Sequence, residues 1–216
     1  MGTLQKHLYL RGLFTVLFFV NLSLFLQAQE KPDALQAYRN GNYEEAIGIC
    51  KQEILENSSN LESYVVMSWS LVKLARYDEA LGFAKKGLEL NRYDVRVIEI
   101  LGEIAYFQGR NNEAVRYFQQ YITLAPEGSR IDVVYYFLGE LYIRLGRYRH
   151  ADIALTTAVR YVPGNALWWN RLGFARENAG EVRNAIAAYE KALSLNPNLA
   201  DAQRGLERCK QSLTGR

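Results

Sequence analysis

The chain has little histidine, cysteine and proline, and these shortages exclude several classes of protein. Its 216 residues include two histidines, two cysteines and four prolines. After residue 28 the only histidine is His150, so neither a histidine-based triad nor a histidine metal cluster can be built there. Glycine-rich phosphate loops, nucleophile elbows and paired-cysteine motifs are also absent. The sequence therefore predicts a protein that is not an enzyme and that uses no cofactor or metal.

The chain also lacks a large excess of either charge. Its formal net charge is +3, from 26 basic and 23 acidic residues. Residues 1–28 contribute Lys6 and Arg11 and no acid, so the remainder carries a net charge of +1. A nearly neutral chain has no electrostatic footprint for nucleic acid, and we expect no nucleic-acid partner.

The N-terminus has the pattern of an export signal. A basic region with Lys6 and Arg11 precedes an apolar run over residues 12–26, and the small residue Ala28 follows. We predict a signal peptide over residues 1–28 and an exported chain that is periplasmic or secreted. The alternative is a retained membrane anchor, although a spanning helix needs ~20 apolar residues. Membrane contact is expected only through this segment, if it is not cleaved.

The two cysteines, Cys50 and Cys209, lie near opposite ends of the remaining chain. Export would permit a disulfide bond, but the bond requires Cα atoms within ~7 Å. We therefore predict two separate thiols.

The chain after residue 28 repeats itself. Small residues recur at spacings of 34, 37 and 34, at Ser68, Gly102, Gly139 and Gly173. An alanine series shares this period, at Ala46, Ala80, Ala114, Ala151 and Ala185. A turn series shares it as well, at Gly41, Ala75, Gly109, Gly146 and Gly180. One period shared by independent series predicts stacked repeats. The frames are 27–60, 61–94, 95–128, 132–165 and 166–199.

The last frame carries a recognisable motif, with Trp169, Leu172 and Gly173 followed by Ala185, Tyr189 and Pro197. This resembles the tetratricopeptide repeat, in which Trp-x2-Leu-Gly-x2-Tyr precedes Ala-x3-Phe and a proline. The resemblance implies an all-α, right-handed α-solenoid of about five helix-turn-helix repeats over residues 29–216. Residues 200–216 are then a C-terminal capping helix.

The first two frames depart from the motif. Ser58 and Arg92 replace the proline, and Cys50 and Ala84 replace the aromatic residue after the alanine. Elsewhere the proline is expected to end the second helix of the pair, because it cannot donate the next backbone hydrogen bond.

The adjacent tryptophans of the last frame raise the choice between core and binding site. Trp169 holds the packing position of the motif, and Trp168 shares a helical stripe with Leu172. Aromatic stripes at helical spacing are usually core, so we expect Trp168 to pack against the preceding repeat.

The resemblance further implies that the first helix of each repeat, helix A, lines a concave groove for a protein or peptide partner. The residues at groove-facing positions combine aromatic anchors with charges of both signs. The candidates are Trp69, Lys73, Glu103, Tyr106, Phe107, Tyr136, Glu140, Arg144, Asn170, Phe174 and Asn178. For each one the alternative is that it only pads the inner wall.

Two features refine this expectation. Some relatives clamp C-terminal carboxylates with bases from successive repeats, whereas the corresponding positions here hold Glu99, Glu103, Tyr136 and Glu140. These acids argue against that ligand. Residues 129–131 lie between the third and fourth frames. We expect Ser129 or Asp132 to cap the next helix. The alternative is that the inserted residues form a loop on the binding face.

We therefore predict a non-enzymatic protein- or peptide-binding scaffold of the cell envelope. The first alternative is an obligate subunit that docks through its terminal repeats. The second is a binder of a small hydrophobic ligand that works with a transporter.

Overall fold

The fold is built from helices alone in the part of the chain that the structure describes. This computed structural model describes residues 33–215, and the predicted signal peptide at 1–28 lies outside them. Within this range there are eleven helices and no strand, which confirms the all-α prediction. They are α1 (Ala34–Arg39), α2 (Tyr43–Glu56), α3 (Leu61–Lys73), α4 (Tyr77–Leu90), α5 (Val95–Phe107), α6 (Asn111–Leu124), α7 (Ile131–Arg144), α8 (Tyr148–Tyr161), α9 (Ala166–Asn178), α10 (Val182–Leu195) and α11 (Ala200–Thr214).

The helices stack in pairs. The odd-numbered helices α1 to α9 are the A helices and the even-numbered helices α2 to α10 are the B helices; α11 follows the last pair in the place of a sixth A helix. Each A helix packs against its own B helix and against the next A helix. One pair cannot cover its own apolar side, so the neighbours bury it, and the core runs through the stack as three clusters of buried side chains.

Small residues on the A helices admit large residues from the B helices. A Cβ atom on Gly102 would lie 2.6 Å from the Phe118 ring, and one on Gly173 would lie 2.7 Å from the Tyr189 ring. Phe118 and Tyr189 are almost fully buried. The small series in the sequence therefore marks the close contact between the two helices of a repeat.

The turn between the helices of a pair has a left-handed residue in every repeat. The glycines of the turn series have φ between +67° and +84°, and Ala75 takes the same place with φ of +57°. Ala75 is the one non-glycine residue with positive φ in the described part. An L-residue pays a steric penalty there, which glycine avoids.

The B helices end at the same place in repeats with proline and in repeats without it. Proline lies two residues after α6, α8 and α10, while Ser58 and Arg92 lie two residues after α2 and α4. In those two repeats Asn57 and Asn91 follow the helix in extended conformation, and each side chain accepts a hydrogen bond from the backbone N–H two residues later. An asparagine turn thus ends these helices.

The prediction that Ser129 or Asp132 caps the helix after the insertion at residues 129–131 is wrong. Helix α7 begins at Ile131, its N-cap residue is Arg130, and no side chain accepts a capping hydrogen bond. Neither Ser129 nor Asp132 therefore has the expected role, because the inserted residues shift the helix start by one position. The Arg130 side chain reaches helix α5 instead.

Cys50 and Cys209 are buried free thiols, which confirms the prediction of two separate thiols. Trp168 stacks on Tyr136 of the preceding A helix, as predicted, with ring centroids 5.0 Å apart, although it is only partly buried. Trp169 packs against the core and donates a hydrogen bond to the carbonyl of Pro163. Among residues 33–215, no helix is long and apolar enough to cross a membrane.

Candidate functional site

The A helices form a surface in which each helix contacts the next through polar and aromatic side chains. We call this surface, on α1, α3, α5, α7, α9 and α11, the A-helix face. The predicted groove residues all belong to four of these helices: Trp69 and Lys73 on α3, Glu103, Tyr106 and Phe107 on α5, Tyr136, Glu140 and Arg144 on α7, and Asn170, Phe174 and Asn178 on α9. The structure does not test whether they bind a partner.

Aromatic rings join neighbouring A helices. Trp69 stacks on Tyr38 of α1 with ring centroids 5.6 Å apart. Tyr106 makes an edge contact at 4.7 Å with Phe137 of α7, and Phe107, which is exposed, lies 6.2 Å from the same ring. These partly exposed rings offer flat apolar surface to a partner. Because neighbouring rings already hold them in place, they would lose little conformational entropy on binding.

An acidic cluster lies on α5. Arg130 donates to Glu99 Oε1 at 2.8 Å and to Glu103 Oε1 at 2.7 Å. Glu99 is 2% exposed. Burial, and after it the negative charge of Glu103, raises the pKa of Glu99 to about 8, while Arg130 acts in the opposite direction. Two carboxyl groups thus share one guanidinium.

A second cluster joins α5, α7 and α9. The Arg144 guanidinium lies 3.8 Å from the centroid of the Tyr106 ring and donates to the Tyr106 carbonyl oxygen at 3.1 Å. Arg171 donates to Glu140 at 2.5 Å. Burial, and after it the charge of Glu140, raises the pKa of Tyr136 to about 12, so this phenol stays neutral and can donate a hydrogen bond.

The last part of the face lies on α9 and α11. Arg208 of α11 donates to both carboxylate oxygens of Glu177, at 2.8 and 2.9 Å. Phe174 is partly exposed and carries the Arg171 guanidinium at 5.2 Å from its centroid. The Asn178 side chain donates to the Phe174 carbonyl oxygen, so it is partly engaged within its own helix.

The structure brings the predicted residues together in groups rather than in one continuous site. Glu103 joins the acidic cluster, and Tyr106, Tyr136, Glu140 and Arg144 form the second one. Lys73 is exposed and belongs to neither cluster. Among residues 33–215, no three histidine, cysteine or acidic side chains are placed to hold a metal ion.

Several residues that form contacts on the A-helix face were not among the candidates predicted from the sequence. Three of them are arginines that bond to an acid on the preceding A helix. A spacing of 31 residues between acid and arginine is the signal that would have found them, in Glu99–Arg130, Glu140–Arg171 and Glu177–Arg208. For Glu140–Arg171 and Glu177–Arg208 the local period is 34, so this spacing is three residues short of it, close to one helical turn, and the pairs reach between successive helices. For Glu99–Arg130 the local period is 37, so the spacing is six residues short of it, and Arg130 lies just before α7.

Family comparisons identify the repeats. The tetratricopeptide repeat family matches residues 95–127, 133–165 and 166–199. The family of anaphase-promoting complex (cyclosome) subunit 3 matches residues 23–87. These matches cover the degenerate first repeats as well as the regular later ones.

Known proteins agree with this assignment. The Hsp70-Hsp90 organizing protein of Triticum aestivum is 32% identical over 51% of this chain and 19% of its own length. The TPR repeat-containing protein MJ1428 of Methanocaldococcus jannaschii is 26% identical over 81% of this chain and 32% of its own length. The chain thus spans a third or less of these two relatives.

A solved structure shows the same fold. The crystal structure of YrrB, a TPR protein with an unusual peptide-binding site, superimposes with a TM-score of 0.71 at 20% identity, over 77% of this chain and 84% of YrrB. Paired helices, glycines at the contact between them and three matched repeats together show that the chain belongs to the tetratricopeptide repeat family.

Proposed function

We propose that the chain is a non-enzymatic scaffold of the cell envelope that binds a segment of a partner protein on its A-helix face. The observation that carries this proposal is the row of partly exposed rings from successive repeats, Trp69, Tyr106, Tyr136 and Phe174, with ion pairs between them. Aromatic anchors flanked by charged groups are the usual source of affinity in protein interfaces. The peptide-binding site of YrrB, on the same fold, supports the proposal.

The proposed location depends on the N-terminal segment. A basic start and the apolar run at residues 12–26 support export. Residues 1–32 can be fused to a reporter enzyme that is active only outside the cytoplasm. We expect Leu17→Lys to abolish reporter activity, because the charge breaks the apolar run, and Thr3→Lys to preserve it. Equal activity of all three fusions would contradict export through this segment.

The binding proposal can be tested by affinity capture from an envelope extract of the source cells, with the full chain as bait. The test variant is the triple substitution Trp69→Ala, Tyr106→Ala, Phe174→Ala. We expect it to lose a partner that the parent chain retains, because three anchors are removed from the A-helix face. Circular dichroism must show that the variant keeps its helices.

A matched control removes exposed apolar side chains away from this face. Tyr93, Ile153 and Tyr161 are 59%, 69% and 52% exposed, and the triple alanine variant at these positions should keep the partner. Loss with the control alone would move binding to the other surface. Retention by both variants would favour an obligate subunit that docks through its terminal repeats. Capture of nothing by the parent chain would overturn the scaffold proposal and turn the search to small hydrophobic ligands.

A further inference from the structure

The N-terminal part of the A-helix face places aromatic rings beside two carboxyl groups. Trp69 of α3 and Glu103 of α5 hold the same position in successive A helices, and these two helices contact each other. Tyr38 of α1 stacks on Trp69 with ring centroids 5.6 Å apart, and the ring of Tyr43 lies 5.6 Å from that of Tyr38. Glu99 lies four residues before Glu103, about one helical turn away on the same side of α5. The three rings are partly exposed.

The Tyr38 phenol lies within electrostatic reach of both carboxyl groups. Burial, and after it Tyr43, raises the pKa of this phenol above its ordinary value. Glu103 and Glu99 raise it further, and Arg130 acts in the opposite direction. Charges that influence a titrating group in this way must lie near it, because solvent and ions screen distant ones. The rings and the carboxyl groups therefore form one surface. We call it the aromatic–acidic surface, and its members are Tyr38, Tyr43, Trp69, Glu99 and Glu103.

The two carboxyl groups of this surface share a single basic side chain. Arg130 bonds Glu99 and Glu103, and neither glutamate has a second ion pair within residues 33–215. With both groups ionised, the cluster is short of one positive charge. A proton makes up this shortage in the free chain, since the pKa of Glu99 is raised to about 8, by burial first and then by Glu103. The Glu103 side chain is 13% exposed, so a cation brought by a partner can approach it and take the place of the proton.

We propose that the aromatic–acidic surface binds a basic side chain, lysine or arginine, of the partner segment. Charge complementarity selects this occupant, because the carboxyl groups attract a cation and repel an acidic side chain. The negative face of an aromatic ring attracts the same cation, and tryptophan does so most strongly. A neutral side chain would gain only apolar contact and would leave the shortage of positive charge in place.

This inference rests on the proposed function and adds the chemistry of one partner group. It agrees with the argument from the sequence that Glu99 and Glu103 disfavour a C-terminal carboxylate as ligand, since the same acids favour a cation.

Three short probe peptides test the charge of the occupant. They are Ala-Lys-Ala, Ala-Arg-Ala and Ala-Gln-Ala, each N-acetylated and C-terminally amidated, so that only the middle side chain differs. Each is titrated into the 15N-labelled full chain while the indole N–H signal of Trp69 is followed. This signal is identified by its loss from the spectrum of a Trp69→Phe variant.

We expect a basic peptide to shift the Trp69 signal saturably and the Ala-Gln-Ala peptide to leave it in place. Response to the lysine peptide alone, to the arginine peptide alone or to both supports the proposal and identifies the cation. Equal responses to all three peptides, or no response to any, would overturn it.

Two substitutions that break the same ion pair should change this binding in opposite directions. Glu103→Gln removes a carboxylate that attracts the cation, and we expect it to weaken binding of the basic peptide about tenfold. Arg130→Gln removes the competing internal cation, and we expect it to strengthen binding by a similar factor. Simple damage to the cluster would weaken binding in both variants, so effects of the same sign would overturn the inference.

A matched control breaks an ion pair elsewhere. Glu44→Gln removes an exposed carboxylate of α2 that pairs with Arg76, and it should leave peptide binding unchanged. Circular dichroism must show that each variant keeps its helices. A captured partner that needs the aromatic anchors but binds the Glu103→Gln variant as tightly as the parent chain would overturn this inference and leave the proposed function standing.

Discussion

The interior of the repeats and the A-helix face are built from the same helices, yet they follow different rules. At the interior position the successive A helices carry Ser68, Gly102, Gly139 and Gly173, all small. At the next residue, on the face, they carry Trp69, Glu103, Glu140 and Phe174. Small residue size therefore recurs with the period of the chain in the interior, whereas residue type does not recur in this way on the face.

This difference separates folding from recognition. In the interior, the same contact between two helices recurs in each repeat, so a residue of the same size is needed at the same position of each repeat. On the face, each residue meets a different neighbour and solvent, and no packing rule fixes its type. If stability is concentrated in the interior, substitutions there should have the largest effects on the free energy of unfolding, and substitutions on the exposed face the smallest.

Phe118→Ala is the strongest test of the interior. Phe118 is fully buried, stacks on Phe137 with centroids 5.4 Å apart and fills the space over Gly102. We expect a loss of about 3–5 kcal/mol in the free energy of unfolding, because a cavity replaces the ring. The exposed Tyr161→Ala should change it by less than about 0.5 kcal/mol. Urea unfolding followed by circular dichroism measures both, and similar losses would break the comparison.

Two glycine-to-alanine substitutions should have opposite signs. A Cβ atom on Gly102 would lie 2.6 Å from the Phe118 ring, whereas a Cβ atom on Gly82 would meet nothing within 4 Å. We expect Gly102→Ala to destabilise the chain by about 1–3 kcal/mol through overpacking. Gly82→Ala should stabilise it by about 0.5–1 kcal/mol, because alanine favours the helix. Thermal unfolding of the two variants would contradict the packing argument if both shifts had the same sign.

The sequence predicted the interior well because the interior depends on residue size and spacing. The small series located the close contacts of Gly102, Gly139 and Gly173 with their paired helices, and the turn series located the left-handed residues, including Ala75. Proline follows the end of three B helices, whereas Asn57 and Asn91 end theirs without it. Helix termination has several chemical solutions, and a search for one residue type misses the others.

The sequence predicted the members of the A-helix face but not their partners. Glu103 and Arg144 were placed on the face, yet their contacts with Arg130 and with the Tyr106 ring depend on how far each helix reaches toward the next. Ser129 and Asp132 are residue types that commonly cap helices, so the sequence alone favours a cap at the three-residue insertion. The position of Arg130 depends on where α7 starts, which the repeat period does not fix.

Glu99 lies on the boundary between the two regions, since it is polar like the face and buried like the interior. Its pKa is raised from 4.5 to about 8, so the folded state holds a proton that the unfolded state releases between these pH values. The free energy of unfolding should therefore fall as the pH rises from 4.5 to about 8. Glu99→Gln should flatten this dependence, because the amide cannot ionise. Urea midpoints across this pH range measure it, and parallel curves for the parent chain and the variant would contradict the burial argument.

The smallest effect is expected on the exposed part of the face. Arg144→Gln removes the guanidinium that lies 3.8 Å from the Tyr106 ring centroid and bonds the Tyr106 carbonyl oxygen. An exposed cation–π contact contributes about 0.5–1 kcal/mol, so unfolding in urea should show a loss of this size. Arg149→Gln, which removes an exposed arginine that lies over no aromatic ring within residues 33–215, is the matched control and should show no measurable loss. A loss at Arg144 as large as that of Phe118→Ala would mean that the face contributes to stability as the interior does, and the separation of folding from recognition would fail.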